Sequence, residues 1–185
     1  MGALATPSGP DGAQDFLSAH GAGEILHPGG TLLAHLIRVR DLLAAWGARP
    51  ALQAAGLCHA VYGTDGFPTA LVALTQRPDV ADLVGVEAEA LIYLYDSCDR
   101  RLTYPRLSSG TTAMFVDRFT GAGRVVGGQP LRDFMELTAA NELDIADHNP
   151  TFVAEFGPDL LDLLTGTFHL LSAPAWDHCR ATLRT

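Results

Sequence analysis

The apolar positions of the chain recur mostly at three- and four-residue steps, a spacing typical of amphipathic helices. The clearest pattern begins at Thr31 and ends at Trp46, just before Gly47, a residue type that often follows the last helical turn. One face of this segment carries the apolar residues Leu32, Leu36, Val39 and Leu43. The spacing therefore predicts a helix over residues 31–46.

A second helix is predicted from Ala51 to Tyr62, because Pro50 suits a first helical turn and Gly63 suits a helix end. Its sequence, ALQAAGLCHAVY, is apolar nearly all round, which places it in the middle of the fold. Further helices are predicted over about 14–20, 84–98, 131–147, 158–171 and 174–183, with a loop and a short helical piece between residues 65 and 78.

One region departs from helical periodicity. Thr111–Phe119 and Arg124–Gly127 have strand-like sequences and flank a Gly-containing turn, which predicts a small β-hairpin inserted at about residues 111–128. Residues 1–12, rich in Gly, Pro and Ala, are expected to form a flexible tail, and residues 13–185 a single domain. The predicted fold class is all-α with one hairpin insertion.

The amino-acid composition excludes some classes of function. The formal net charge is −9 and the chain contains no lysine, which excludes a Schiff-base lysine and argues against nucleic-acid partners. Cys58, Cys98 and Cys179 form no CxxC pair, so reduced thiols are expected. There is no signal-peptide pattern and no apolar run of membrane-spanning length. A soluble, cytoplasmic protein with a small-molecule substrate and no membrane partner is expected; the oligomeric state, a homodimer included, stays open.

Two of the seven histidines stand out by their positions. His35 lies beside the apolar stripe of the first long helix, and His59 lies near the end of the most apolar segment. A buried imidazole needs either a hydrogen-bond partner or a metal. Taken singly, each side chain could be a hydrogen-bonded core histidine; taken together, they could meet across a contact between consecutive helices and share a cation.

The stretch HLIRVRDLLAAWGARPALQAAGLCHAVYGT resembles the HD-domain superfamily, which includes (p)ppGpp hydrolase domains, nucleotidases and oxygenases of the inositol oxygenase type. In that superfamily one helix carries a first histidine, and a later apolar helix ends in a His-Asp doublet. His35 matches the first position and His59 the doublet histidine, 24 residues later (59 minus 35). The resemblance implies an HD-domain-like helical bundle that binds a divalent metal.

The chain departs from this pattern at Ala60, which replaces the doublet aspartate. The family's last ligand is an aspartate on a later helix, where this chain has Asn141 and Asp144, three residues apart and therefore on one helix face. Asp144 is predicted to be the ligand because it is anionic. Asn141 is predicted to contact the substrate or to support the ligands. A solvated acidic helix end is the alternative interpretation.

Other residues could complete such a site. His27 lies on a Gly-containing loop before His35 and is predicted to compensate for the missing aspartate as a metal ligand; His148 is a second candidate for that place. Tyr62, Thr64 and Asp65 follow His59 on a loop expected to form the pocket rim. We expect at least one of these three to contact substrate, although an ordinary polar loop would have the same composition.

Two imidazoles and one carboxylate leave coordination positions open and suit iron, with manganese or zinc as alternatives. Because Ala60 weakens the resemblance to the hydrolases, the favoured hypothesis is a mononuclear non-haem iron enzyme that oxidises a small molecule. A divergent metal-dependent phosphohydrolase is the second hypothesis, although the chain offers few cationic residues for a phosphate. A degenerate HD-like domain that binds a ligand without catalysis is the third.

Overall fold

The computed structural model describes residues 10–107 and 110–183. Within these ranges the chain is mostly helical, and its four strands form two small antiparallel sheets. The helices are α1 (Pro10–Ala19), α2 (Leu32–Ala45), α3 (Pro50–Cys58), α4 (Arg77–Val84), α5 (Val86–Asp96), α6 (Arg100–Thr103), α7 (Gly128–His148), α8 (Pro150–Gly166) and α9 (Ala173–Leu183). The strands are β1 (Leu26–His27), β2 (Gly30–Thr31), β3 (Thr112–Val116) and β4 (Gly123–Gly127).

Helix α7 is the centre of the packing. It is 21 residues long, and it contacts α2, α3, α5, α8 and α9. Most of its side chains are buried, and the polar ones among them include Asn141 and Asp144. The buried apolar side chains form one continuous cluster between Ala13 and Leu183. A buried polar residue on α7 therefore has to find its hydrogen-bond partners within the protein, either on α7 itself or on neighbouring elements.

Helices α2 and α3 form the closest pair. The Thr31 hydroxyl caps α2 by accepting a hydrogen bond of 3.2 Å from the Ala34 amide. Helix α3 begins with Pro50 in its first turn, where the missing N–H costs nothing. At Gly56 an added Cβ would lie 2.5 Å from the Leu43 side chain, so a small residue is needed where these helices touch.

Three predicted helix boundaries differ from the structure. Helix α3 ends at Cys58 rather than Tyr62, because the backbone turns there and the Tyr62 amide donates to the buried Asp96 carboxylate at 2.9 Å. The helix predicted over 84–98 begins at Val86 and ends at Asp96, because Gly85, with a φ of +91°, separates it from α4. Helix α8 begins at Pro150, where Asn149 caps it, and it contains Pro158.

The predicted hairpin is confirmed and a smaller one was not anticipated. Strands β3 and β4 pair from Thr112↔Gly127 to Val116↔Gly123, and Phe115 packs edge-on against Phe134 of α7 with 4.6 Å between ring centroids. The second pair, β1 with β2, lies at residues 26–31, where only a backbone break was expected. Of the predicted tail, residues 1–9 lie outside the described residues, and Pro10 already begins α1.

No helix among residues 10–107 and 110–183 is long and apolar enough to cross a membrane.

Candidate metal centre

Two histidines from consecutive helices meet in the interior. His35 lies on α2 and His59 immediately follows α3, and each is 1% exposed. Their Nε2 atoms are 3.3 Å apart. The structure therefore brings together the two imidazoles that the sequence predicted to converge, while their role as metal ligands stays a prediction.

A third polar atom lies between these two nitrogens. The Oδ1 atom of Asn141, on α7, is 3.1 Å from His35 Nε2 and 2.9 Å from His59 Nε2. The other end of the amide is occupied, because Asn141 Nδ2 donates to Glu142 Oε1 at 3.1 Å. We call the three atoms His35 Nε2, His59 Nε2 and Asn141 Oδ1 the donor triangle.

The outer partners of the donor triangle determine which atoms carry protons. His59 Nδ1 is 2.7 Å from the Gly56 carbonyl oxygen and His35 Nδ1 is 2.6 Å from Asp144 Oδ2, so each Nδ1 has to be the N–H donor. In a neutral imidazole the other nitrogen, Nε2, then carries a lone pair. The amide oxygen of Asn141 is an acceptor as well. When His35 is neutral, three acceptors therefore face one another with no hydrogen between them; a proton on His35 Nε2 would occupy the same place as a metal.

Asp144 does not belong to this triangle, although the sequence predicted it as the metal ligand. Its Oδ2 accepts from His35 Nδ1, and Arg38 binds both carboxylate oxygens through Nε at 2.6 Å and Nη2 at 2.9 Å. The carboxylate lies behind His35, on the opposite side of the ring from Nε2. Among the described residues no three His, Cys, Asp or Glu side chains are grouped as a metal site, because the third donor is the amide of Asn141.

His27 lies on the first hairpin, over the face of His35. The two rings stack with 4.0 Å between centroids and 26° between planes. Arg38 anchors the turn after His27 by donating to the carbonyl oxygens of Pro28 and Gly29, at 3.0 and 3.2 Å. Within the described part of the chain the buried Nδ1 of His27 has no hydrogen-bond partner. The predicted ligand is thus next to the site, in stacking contact with one of its histidines.

His148, the other candidate, is held outside the triangle. Its Nδ1 is 2.8 Å from the carbonyl oxygen of Asp144, one turn earlier on α7. Its ring packs against Gly29, where an added Cβ would come within 2.6 Å of it. Gly29 also has a φ of +77°, so both its conformation and its contact with His148 require glycine.

A cavity of about 310 Å³ adjoins the donor triangle. Of the three rim residues predicted from the sequence, Thr64 lines this cavity, whereas Tyr62 and Asp65 do not. The Tyr62 hydroxyl donates to Glu89 at 3.1 Å, and the Asp65 carboxylate accepts from the Arg100 amide at 2.9 Å. The wall is mostly apolar and includes Leu26, Leu32, Ala60, Phe67, Ile145 and Phe152. Its polar residues include His27, Thr64, Arg100, Glu142 and Asn149.

Burial keeps His59 and His27 neutral. It lowers the pKa of His59 to about 3, with the nearby His35 ring adding to the effect, and it lowers the pKa of His27 to about 4 in the same way. For Asp144, burial alone would raise the pKa, but hydrogen bonds from His35 and Arg38 outweigh it and hold the pKa at about 2. At neutral pH His59 and His27 are therefore neutral, and the Asp144 carboxylate behind His35 is charged.

Three further residues at the site were not among the predicted site residues. Arg38 lies one turn after His35 on α2 and neutralises Asp144. Glu142 orients the Asn141 amide, and Arg100 neutralises Glu142 through a 2.8 Å contact from Nη1 to Oε1. The position of Arg38 three residues after His35 is a usable sequence signal. Arg100 carries no such signal, because it comes from a distant part of the chain.

One protein family matches part of this chain, and the function of that family is unknown. Residues 16–100, which are less than half of the chain, match a sequence family described as a domain of unknown function, DUF6817. The matched span includes His35, His59 and Arg100 but not Asn141 or Asp144. Neither the curated proteins nor the solved structures contain a match to this chain.

Proposed function

We propose that this chain is a metal-dependent, HD-domain-like enzyme whose single divalent cation is held by His35, His59 and Asn141. We further propose that it oxidises a small molecule bound in the adjoining cavity. The observation that carries the proposal is the donor triangle, in which three acceptor atoms lie 2.9–3.3 Å from one another. Buried acceptors repel one another unless a donor or a cation lies among them.

The separations within the triangle match those of ligand atoms around one metal, and hydrogen bonds span the same distances. Neighbouring donor atoms around a divalent metal with bonds of about 2.1 Å are about 3 Å apart when the bonds meet at right angles. A hydrogen bond would need a proton on one of the two Nε2 atoms. Burial lowers the pKa of His59 to about 3, so His59 does not supply that proton at neutral pH, and a metal bound to the triangle would replace any proton on His35 Nε2.

Iron is the favoured metal. Two imidazoles and one oxygen donor on one side, with the other side facing a cavity, resemble the ligand sets of non-haem ferrous iron, whereas manganese and zinc are the alternatives. When bound, ferrous iron would supply the redox chemistry for oxidation by dioxygen. The amide of Asn141 takes the place that a carboxylate has in many such sites.

The residues around the triangle orient its donors. Asp144 and the Gly56 carbonyl hold the two imidazoles in the tautomer that presents Nε2. Glu142 holds the Asn141 amide so that its oxygen faces the imidazoles. Outer partners of this kind fix the ligand orientation before the metal arrives, which favours binding.

The cavity wall favours oxidation over phosphoester hydrolysis. Among the described residues that line it, Arg100 is the only cationic side chain, and Glu142 already neutralises it. A phosphate group usually requires several cationic donors. Ala60 lies in the same wall and offers no carboxylate for a second metal.

The test is the metal content of the full-length protein after anaerobic purification, by elemental analysis. We expect about one equivalent of iron in the wild type and almost none in His59→Ala, because removing one of three ligands weakens binding severely. His178→Ala is the matched control, since His178 contacts Trp46 and Asp147 away from the triangle and should leave the iron content unchanged.

The other outcomes separate the remaining hypotheses. If the purified protein contained manganese or zinc and hydrolysed phosphate esters, the phosphohydrolase hypothesis would replace the proposed oxidation. If the protein remained folded by circular dichroism but took up no metal under any loading condition, both enzyme hypotheses would be wrong. A binding domain without a catalytic role would then be the remaining interpretation.

A further inference from the structure

The donor triangle carries no negative charge. Its atoms belong to two imidazoles, which bind a metal in their neutral form, and one amide. The two carboxylates nearby are both neutralised, since Arg38 binds both oxygens of Asp144 and Arg100 binds Glu142. A divalent metal held by the triangle would therefore keep its full charge of +2.

We infer that the substrate itself supplies the missing anionic ligand, and that it is a small monocarboxylate with an apolar body. The inference rests on the proposed metal centre. A doubly charged ion in a buried site is stabilised most by a neighbouring anion, because attraction is strong where water is scarce. Within residues 10–107 and 110–183 no unpaired carboxylate lies at the triangle, so the cavity ligand has to provide the anion.

The walls of the cavity favour a carboxylate over a phosphate. A phosphate carries more charge and usually binds several cationic donors, whereas the one arginine in the described wall is already paired with Glu142. A monocarboxylate needs only the metal and a hydrogen bond. Thr64 can give that hydrogen bond, because its Oγ1 accepts from the Phe67 amide at 3.0 Å and its own hydroxyl hydrogen has no acceptor among the described residues.

The rest of the cavity suits an apolar body of modest size. The side chains of Leu26, Leu32, Ile145 and Phe152 line it, and its volume of about 310 Å³ lies at the small end for ligand pockets. Leu26 is 85% exposed, which is unusual for a large apolar side chain and leaves apolar surface free to cover a ligand at the cavity mouth.

The test uses the full-length protein loaded with cobalt(II), whose visible absorption reports on its ligands. Three probes share one phenyl ring and differ in their charged group: benzoate, benzamide and phenyl phosphate. We expect benzoate to change the cobalt spectrum and to bind about tenfold more tightly than either of the others. The metal-free protein should not bind benzoate.

Asn141→Asp gives a second, opposite pair of expectations. This variant and its control are made in a Glu142→Gln background, because the new carboxylate would otherwise lie against Glu142, to which Asn141 Nδ2 donates at 3.1 Å. Relative to that background the new carboxylate would supply the missing charge, so cobalt affinity should rise about tenfold while benzoate affinity falls about tenfold. The matched control is Gln76→Glu, which adds the same charge at a residue that does not line the cavity and keeps an acceptor for the Ala73 amide. It should change both affinities less than about threefold.

Each outcome decides between distinct conclusions. Equal binding of benzoate and benzamide, or tighter binding of phenyl phosphate, would overturn the carboxylate inference and leave the metal centre standing. A fall in cobalt affinity in Asn141→Asp would show that charge is not what the triangle lacks, and would also overturn it. A folded wild-type protein that binds no cobalt would overturn the metal centre and this inference together.

Discussion

Two buried polar clusters on α7 look alike at first and differ in one respect. Near the start of the helix, Asp133 accepts hydrogen bonds from Arg49 and, at 2.9 Å, from Gln129, while Arg49 also contacts Glu87. We call these four residues the Arg49 cluster. Near the end of the helix, Asp144 accepts from Arg38 and His35 in a similar way. Both clusters join α7 to the α2–α3 region through an arginine–carboxylate pair.

The difference is the balance of donors and acceptors. In the Arg49 cluster each carboxylate faces N–H groups, so the cluster is complete as it stands. At the other end of α7, the pair of Asp144 with Arg38 is complete, but the donor triangle beside it receives no N–H from the described residues around it. A buried carboxylate paired with arginine is therefore no sign of function by itself, whereas an excess of converging acceptors is.

The largest effect is expected when the balanced cluster is broken. Asp133→Asn removes the charge from a carboxylate that is 2% exposed and leaves Arg49 without its buried partner. We expect the free energy of unfolding to fall by about 2–3 kcal/mol, because one member of a partly buried ion pair loses its counter-charge. Urea unfolding followed by circular dichroism measures this loss.

The same variant sharpens the comparison, since the Arg49 cluster should play no part in metal binding. We expect Asp133→Asn to take up as much metal per folded chain as the wild type. If the folded Asp133→Asn protein bound less metal than the wild type in the absence of denaturant, the two clusters would not be independent.

A smaller effect is expected at the other end of α7. Asp144→Asn keeps the shape of the side chain but weakens its hold on the His35 Nδ1 proton and on Arg38. Changes to such outer partners typically lower metal affinity about 10- to 100-fold, which corresponds to about 1.4–2.7 kcal/mol. Isothermal titration with the metal measures it, and an affinity unchanged from wild type would contradict the role given to Asp144.

The smallest effect concerns a third buried carboxylate, Asp96, whose carboxylate oxygens accept from no arginine among the described residues. It is fully buried, its Oδ2 accepts from the Tyr62 amide, and Oδ1 has no partner within the described residues. Burial raises the pKa of Asp96 well above its ordinary value of 3.8, so the folded protein keeps a proton that the unfolded chain releases.

The sign of the pH dependence follows from that proton. Above pH 3.8 the Asp96 contribution to stability falls as pH rises, by about 1.4 kcal/mol per pH unit, until the raised pKa is reached. Asp96→Asn has no such group, so its stability relative to wild type should increase with pH. Urea unfolding of both metal-free proteins at two values about one pH unit apart, near pH 5 and pH 6, measures this as a difference of about 1.4 kcal/mol, and equal shifts in the two proteins would contradict it.

Much of the helical architecture was predictable, because it depends on local patterns. The three- and four-residue apolar spacing of α2 places His35 on the buried face, and the apolar sequence of α3 places His59 in the interior. The alternating strands around a Gly-containing turn predicted the β3–β4 hairpin. The predicted end of α3 was wrong because a tertiary contact, from the Tyr62 amide to Asp96, turns the chain after Cys58.

The donor set, in contrast, was decided by the tertiary structure. Asn141 and Asp144 are three residues apart on α7, so they share a face and periodicity cannot choose between them. The choice depends on what the neighbouring helices present: Arg38 on α2 attracts the carboxylate, and the two Nε2 atoms are left facing the amide. The sequence by itself placed His35 and His59 on apolar helices, while the burial of the polar face of α7 beside them, rather than a solvated helix end, was decided by the packing. Only the packing of α2, α3 and α7 determined that the third donor is neutral, because that depends on which charges lie across the interface.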